Sequence, residues 1–351
     1  MIYLRTGNYI FSNTLTSGTG SFDKAMIGET LSADAMDFTL LISGGDLGRL
    51  EDVNDVDLDD ANSVELYSLG DDATINEADF VHGQVVTLQT GMDLNDGLIA
   101  SLRLDYLERT GKYTYVLHCV STVGFLADKQ HLGGMFTGES VKNILADILG
   151  ATYSSTSGSY YLYNVYENGS LVFTYYISHE LGDITLTGWL PVASQRDNLI
   201  QLLFATGGSL LTRSGQLYFE FVVAQARRSI PSSDLYIGSN VINGDNVTDC
   251  ILTEHAFIVD GTLDPETLYE DLSLSVTDYL VTFNGPYHTL TASGGLTIND
   301  SGCNYAVVTG LGTLTGIPYV HTTIDLSAST GLSGLKKEAS AKDMTDRKSV
   351  V

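Results

Sequence analysis

The chain has few basic residues, few prolines, almost no tryptophan and little cysteine. Its 17 Lys and Arg stand against 43 Asp and Glu, a formal net charge of −26, and the sequence pI is about 4.3. Neutralising nucleic-acid phosphates needs a basic surface, so nucleic acid is excluded as an expected partner, and an anionic membrane face is disfavoured by the same repulsion. The three cysteines, Cys119, Cys250 and Cys303, lie far apart and follow neither disulfide-framework nor metal spacing. They read as buried thiols of a protein made in a reducing cytoplasm. No stretch of about 18 apolar residues occurs and the N-terminus lacks a basic segment followed by an apolar core, so neither membrane insertion nor an export signal is expected. That absence weighs against a secreted adhesin or surface enzyme.

Sequence signatures of chemistry are missing as well. His179-Glu180 continues as Leu-Gly-Asp, so the two histidines one helical turn apart that a zinc protease needs are not there. No Gly-x-Ser-x-Gly elbow exists. Gly310-Leu-Gly312 lacks the spacing and following helix of a dinucleotide loop, and no Gly-Lys-Ser/Thr closes a phosphate loop. The run Glu51-Asp-Val-Asn-Asp-Val-Asp-Leu-Asp-Asp60 invites a calcium reading and fails it. Started at Asp55 it offers Asp57 and Asp59, but Asp60 stands where Gly is needed and Leu66 where the bidentate Glu belongs; started at Asp52 it fails at Val56. It reads as a solvated acidic loop, with an irregular weak cation site as the alternative. No catalytic, cofactor-binding or metal-ligating residue is assigned and no cofactor is expected. A glycosidase needs only two carboxylates about 5–10 Å apart, and in so acidic a chain that option stays open without a preferred pair.

What is present points to a folded, β-rich protein. Hydrophobic residues make up 43% of 351 and mean hydropathy is +0.08, enough for two or three cores. Thirty-six Gly and 20 Tyr, with many short Thr-, Val- and Leu-containing runs, favour strands. Strands are expected in the later half of Leu31–Ser43, over Phe80–Leu88 and Leu98–Leu107, and over Tyr113–Val120 after a turn at Thr110-Gly111. His118 falls in the last of these and reads as a satisfied core or edge histidine rather than a base. Thr137 is placed to cap a helix whose Val141, Ile144, Leu145, Ile148 and Leu149 share one face, ending at Gly150. Asn168-Gly169 marks a hairpin, within a Ser/Tyr-rich excursion over 151–188 whose tyrosines suit either cross-strand pairs or a ligand surface. Ser194, with Asp197 three residues on, caps a second helix carrying Leu199, Leu202, Leu203 and Thr206; Gly207 stops it, and a hairpin about Ser214-Gly215 follows. Further strands are expected at Val247–Val259 and Asp278–His288, with a helical turn opening at Asp264-Pro265.

These residues also carry a resemblance. Gly188-Trp-Leu-Pro-Val-Ala-Ser-Gln-Arg-Asp-Asn-Leu199 with Gly207-Gly-Ser-Leu-Leu-Thr-Arg-Ser-Gly-Gln-Leu217, Tyr106–His118, Gly133–Leu149, Thr248–Val259, Phe283–His288, and Asn304-Tyr-Ala306 followed by Leu314–Tyr319 resemble tail and baseplate hub proteins of phages and prophages of Gram-positive gut bacteria. The resemblance covers roughly residues 30–320 and brings no catalytic motif. It implies a structural subunit of the virion tail, self-associating as a homotrimeric ring and contacting other tail and baseplate proteins. One alternative is a different tail component, such as a distal-tail or tail-fibre-attachment protein with sixfold or other symmetry; the rival class is a tail-associated polysaccharide- or peptidoglycan-acting enzyme or glycan-binding module. The expected class is β-rich α+β and multi-domain: a β-domain over 1–120, a small helix-plus-hairpin domain over 121–225 with helices near 138–149 and 195–206, and a β-domain over 226–345, the flanking domains barrel-like. Asp346-Arg-Lys-Ser-Val-Val351 resembles a translated sequencing adapter and is set aside as an artefact.

Overall fold

The computed structural model describes residues 2–7, 9–12, 15–21, 35–42, 46–49, 66–68, 77–90, 97–167, 169–213, 216–221, 247–331, 335–341 and 344–345. The acidic run 51–60, the turn residues 214–215 and the tail 346–351 lie outside them.

The first unit is one antiparallel sheet. Its strands are β1 Tyr3–Thr6, β2 Tyr9–Phe11, β3 Leu15–Ser21, β4 Ala35–Leu41, β5 Asp46–Arg49, β6 Leu66–Ser68, β7 Val85–Gln89, β8 Leu98–Arg109 and β9 Thr114–Val120, and they run in the order β3-β4-β9-β8-β7-β1-β2-β5-β6. Alternation along β9 is strict: Tyr115, Leu117 and Cys119 are buried while the residues between them are half exposed. This is the period-2 signature of a strand with one face on a core. Here the core is built from Leu4, Phe11, Phe38, Leu40, Leu104 and Leu117.

A single turn of helix, α1 (Thr122–Phe125), leads into the second unit. There β10 (Gln130–His131) and β11 (Gly134–Ser140) precede α2 (Val141–Leu149). A three-strand meander follows: β12 (Ala151–Ser157), β13 (Tyr160–Glu167) and β14 (Ser170–Ser178). After the short α3 (His179–Gly182) come β15 (Thr185–Leu190), β16 (Ala193–Ser194), α4 (Gln195–Thr206) and the hairpin β17 (Gly208–Arg213) and β18 (Gln216–Phe221). The hairpin adds to the meander through a parallel β14–β18 pairing, giving the order β12-β13-β14-β18-β17. One face of this sheet packs Tyr163, Tyr175, Ile177, Leu217 and Phe219 against Ile144, Leu145 and Ile148 of α2 and Leu199, Leu202 and Leu203 of α4. Each fully buried leucine or isoleucine stabilises by about 1.5–3 kcal/mol.

Capping follows the expected logic at α4. The Ser194 hydroxyl accepts from the Asp197 amide at 3.0 Å, and Gly207 adopts φ 67 at the C-cap, a left-handed geometry that glycine tolerates best. Ser194→Ala is expected to cost about 1 kcal/mol; an unchanged chemical-denaturation midpoint would show that the cap does not contribute. The start of α2 differs from the sequence expectation. Thr137 lies inside β11, not at a cap, and the helix begins at Val141 behind Ser140. Strand pairing wins the intervening residues: Glu139 and Ser140 pair with Leu186 and Thr185 of β15, and the Val141 amide donates to the Ile184 carbonyl. An amide satisfied by the neighbouring strand needs no side-chain cap.

The third unit has two sheets. In one, β19 (Val247–Ile258) pairs with β24 (Val320–Ser329) and, in parallel, with β25 (Leu335–Ala341). In the other, β23 (Tyr305–Pro318) is flanked by β20 (Glu266–Thr282), β21 (Tyr287–Ser293) and β22 (Thr297–Ser301), over a core of Val281, Phe283, Leu296, Val308 and Leu314. Asp264-Pro265 opens no helical turn; the chain passes directly into β20. The final strand, β26 (Met344–Thr345), returns to pair with β15 of the second unit. The protein is thus a β-rich, multi-domain α+β fold. Among the described residues its flanking sheets are open and neither closes into a barrel.

Candidate functional site

The side chains that join the three units define the first candidate site. Arg103 of β8 is buried and donates to the Gly83 carbonyl at 3.2 Å and, across the boundary, to the Val172 carbonyl of β14 at 2.5 Å. Burial lowers its pKa to about 10, a shift that the nearby Glu167 carboxylate partly opposes. Glu167 also pairs with Lys129, so cations from both sides converge on the β13–β14 end of the middle sheet.

The second junction is built around Asn304, which is wholly buried at the entrance to β23. Its amide donates to the Leu132 carbonyl at 3.0 Å and the Leu190 carbonyl at 2.7 Å, and its oxygen accepts from the Trp189 indole N–H. One side chain of the third unit therefore satisfies two carbonyls and the indole of the second. An aromatic run continues the contact: Trp189 lies 5.3 Å from Phe257, and Phe257 stacks on His321 at 4.7 Å. The His255 and His321 rings lie face to face, with Nδ1 and Nε2 2.8 Å apart.

A third constellation has the look of a proton relay. His131 Nδ1 accepts from the Asn198 amide at 2.7 Å, which leaves Nε2 as the donor to Asp147 at 3.2 Å. A relay of this kind needs a nucleophile. The thiol near this junction, Cys303, donates to the Asn304 oxygen and is pushed up to about 11 by burial, so it is held as a thiol. The arrangement ties β10, α2 and α4 together. Cys119 is likewise raised, to about 12, by burial with Asp37 and Asp105 adding in the same direction. Of the three cysteines only Cys119 is buried; Cys303 is half-buried and Cys250 is exposed. This corrects the expectation of three buried thiols: β19 carries Cys250 in a sheet whose partner strand β24 is itself largely exposed, so no core covers it.

His118 bridges neighbouring strands, with Nδ1 2.9 Å from Asp37 and Nε2 3.1 Å from Glu108, and it stacks on Tyr106. Its ring nitrogens are both satisfied, as expected, but it lies half-exposed on an interior strand paired with β4 and β8 rather than in a core or at a sheet edge. Among the described residues no group of three or more His, Cys, Asp or Glu side chains is arranged to hold a metal, and no helix is long and apolar enough to cross a membrane.

A concavity among the described residues lies at one end of the middle sheet. Ser159 and Tyr160 from the β12–β13 turn, Ser178, His179 and Glu180 from the start of α3, and Glu220 and Phe221 from the end of β18 enclose about 300 Å³. His179 and Glu180, which fail as a zinc motif, meet Glu220 here. Sequence reading placed neither Glu220 nor Asn304 in a site. Their partners stand 60 and 115 residues away, and nothing local marks them. The one available signal was the tyrosine-rich stretch itself, which does supply the cleft's Tyr160.

The chain matches no protein-family model and none of the curated proteins. Among solved structures it is similar to one described as the tail protein from Neisseria meningitidis MC58, with a TM-score of 0.27 and 12% identity. The likeness covers 76% of this chain and 62% of that one. A TM-score of that size lies below that of a shared fold, so the reading that follows rests on this chain's own residues.

Proposed function

We propose that this chain is a structural component of a phage tail, specifically a tail-tip or baseplate hub subunit that links the tail tube to the baseplate and works through its interfaces rather than through catalysis. The observation that carries this reading is the Asn304 junction. A connector must hold its domains in a fixed mutual orientation, and a buried amide satisfying two carbonyls and an indole across a domain boundary does so with directional bonds. Two of the segments that resemble hub proteins, Gly188–Leu199 and Asn304–Ala306, supply Trp189, Leu190 and Asn304 itself, and Leu132 directly precedes a third, Gly133–Leu149. Strand edges suit the same role. Among the described residues β24 pairs only with β19, and β12 only with β13, so both present ladder groups to which a neighbouring subunit could add.

On this reading the protein is made in the host cytoplasm, resides in the virion tail and associates with itself as a threefold ring. Light scattering coupled to size-exclusion chromatography at micromolar concentration is expected to return a trimer. A strictly monomeric full-length chain would sink the hub assignment. The second reading, a tail-associated polysaccharide- or peptidoglycan-acting enzyme or glycan-binding module, is favoured by the meeting of Glu180 and Glu220 in one cleft. Release of soluble fragments from purified cell wall, abolished by a carboxylate-to-amide change at either residue, would establish its enzymatic form.

A further inference from the structure

The five-stranded sheet of the middle unit has two different faces. Tyr175, Ile177, Leu217 and Phe219 enter the helical core, whereas Tyr176, Ser178, Tyr218 and Glu220 alternate with them and occupy the opposite face. Cross-strand register brings Tyr160 beside Ser178 and Tyr176 beside Tyr218 on that face. The Tyr176 and Tyr218 rings stack at 4.5 Å and 7°, and Tyr160 stands edge-on to both, at 6.3 and 5.7 Å. Tyr160 also donates its phenol to Glu220 Oε1 at 2.7 Å. Its ring is therefore fixed from two directions before any ligand arrives. Glu220 is only 5% exposed, and its backbone carbonyl accepts from the Ser209 hydroxyl at 3.3 Å.

We propose that the cleft bounded by Ser159, Tyr160, Ser178, His179, Glu180, Glu220 and Phe221 is a binding site for a neutral saccharide. Its chemistry selects the ligand. No Lys or Arg lines it and two carboxylates do, in a chain of net charge −26, so phosphorylated, sialylated and uronic-acid ligands are repelled. Carboxylates and serine hydroxyls suit the paired hydroxyls of a sugar, which donate to the first and exchange hydrogen bonds with the second. The Tyr160 side chain, on the same face as Tyr176 and Tyr218, supplies apolar surface for the C–H face of a pyranose. A volume of about 300 Å³ stands at the small end of ligand pockets, which limits the occupant to one or two sugar units. The inference rests on the glycan-binding form of the second reading above and is independent of the assembly role, which the trimer measurement tests separately.

The test uses the full-length protein and isothermal titration with cellotriose, maltotriose and tri-N-acetylchitotriose, against trigalacturonate and n-butylammonium as charged probes. Saturable binding of at least one neutral trisaccharide is expected, with trigalacturonate at least tenfold weaker. Glu220→Gln is expected to weaken binding at least tenfold, because the amide no longer accepts at both oxygens. Glu180→Gln on the exposed rim should weaken it about threefold and should fold normally, which keeps the test valid if the buried substitution does not fold. No binding of any neutral probe at 10-millimolar-order concentration, equal binding of trigalacturonate, or binding of n-butylammonium alone would each overturn the proposal, the last by assigning the carboxylates to a cation.

Discussion

Asn304→Ala is expected to lower the stability of the junction between the second and third units by about 2–6 kcal/mol, since three groups lose this partner and the two in fully buried bonds each cost about 1–3 kcal/mol when left unsatisfied. Those groups are the Leu132 and Leu190 carbonyls and the Trp189 indole N–H. Because Asn304 is wholly buried, water does not replace the missing amide without opening the seam. The readout is built into the protein. Trp189 is its one tryptophan and is 8% exposed, so its emission reports the seam formed by Asn304 and Phe257. Denaturation followed by tryptophan fluorescence should move to lower denaturant and shift to the red before the cores of the first and third units unfold. Asn304→Asp separates hydrogen bonding from volume. It keeps an acceptor for the indole but sets a buried carboxylate oxygen against two carbonyls, so it should be at least as damaging as alanine. An unchanged tryptophan transition in either variant would refute the role assigned to Asn304, and with it the observation on which the connector reading rests.

The parts of this architecture that were legible in the sequence are those fixed by short-range physics. Ser194, Asp197 and Gly207 announce α4 because a cap and a left-handed stop act within one helical turn. Strand β9 is readable because one buried face imposes alternation on consecutive residues. Where a long-range partner decides, the local signal misleads. Thr137 is a good cap residue, yet it lies in a strand because β15 arrives to pair with β11. Asp264-Pro265 suits a helix start, yet the chain passes into β20, whose register is set by β23 about 50 residues later. The sites are less legible still. Arg103 and Val172 stand 69 residues apart and Asn304 and Leu132 stand 172 apart, so no spacing rule links them. Functional groups on a β-rich scaffold are assembled by topology. Composition bears on the sign of a partner's charge, because a charge balance needs no coordinates, but it said nothing of which two carboxylates would share a cleft.

Gly133→Ala is the companion test, and it isolates backbone geometry from side-chain hydrogen bonding. Gly133 sits at φ +66, and a Cβ built on it would meet the Leu190 carbonyl oxygen at 2.1 Å, Asn304 Nδ2 at 2.4 Å and the Pro191 carbonyl oxygen at 2.5 Å. Two of these three atoms are backbone and cannot rotate away. The methyl group can be admitted only by pulling β11 from β15 or by lifting Asn304 out of its socket. Left-handed strain of about 1 kcal/mol and an overpacking cost of about 1–3 kcal/mol together give about 2–4 kcal/mol, and losing the Asn304 bonds adds that residue's share on top. The double variant Gly133→Ala, Asn304→Ala decides between the two routes. If the methyl acts mainly by displacing Asn304, the pair should cost little more than Asn304→Ala alone. If the clash with the Leu190 and Pro191 carbonyls dominates, the two costs should add to within about 0.5 kcal/mol. Either result measures how much of the rigidity between these units resides in one side chain and how much in the close approach of the two backbones. A single variant with wild-type stability would show that the chain around Gly133 has room that the packing denies.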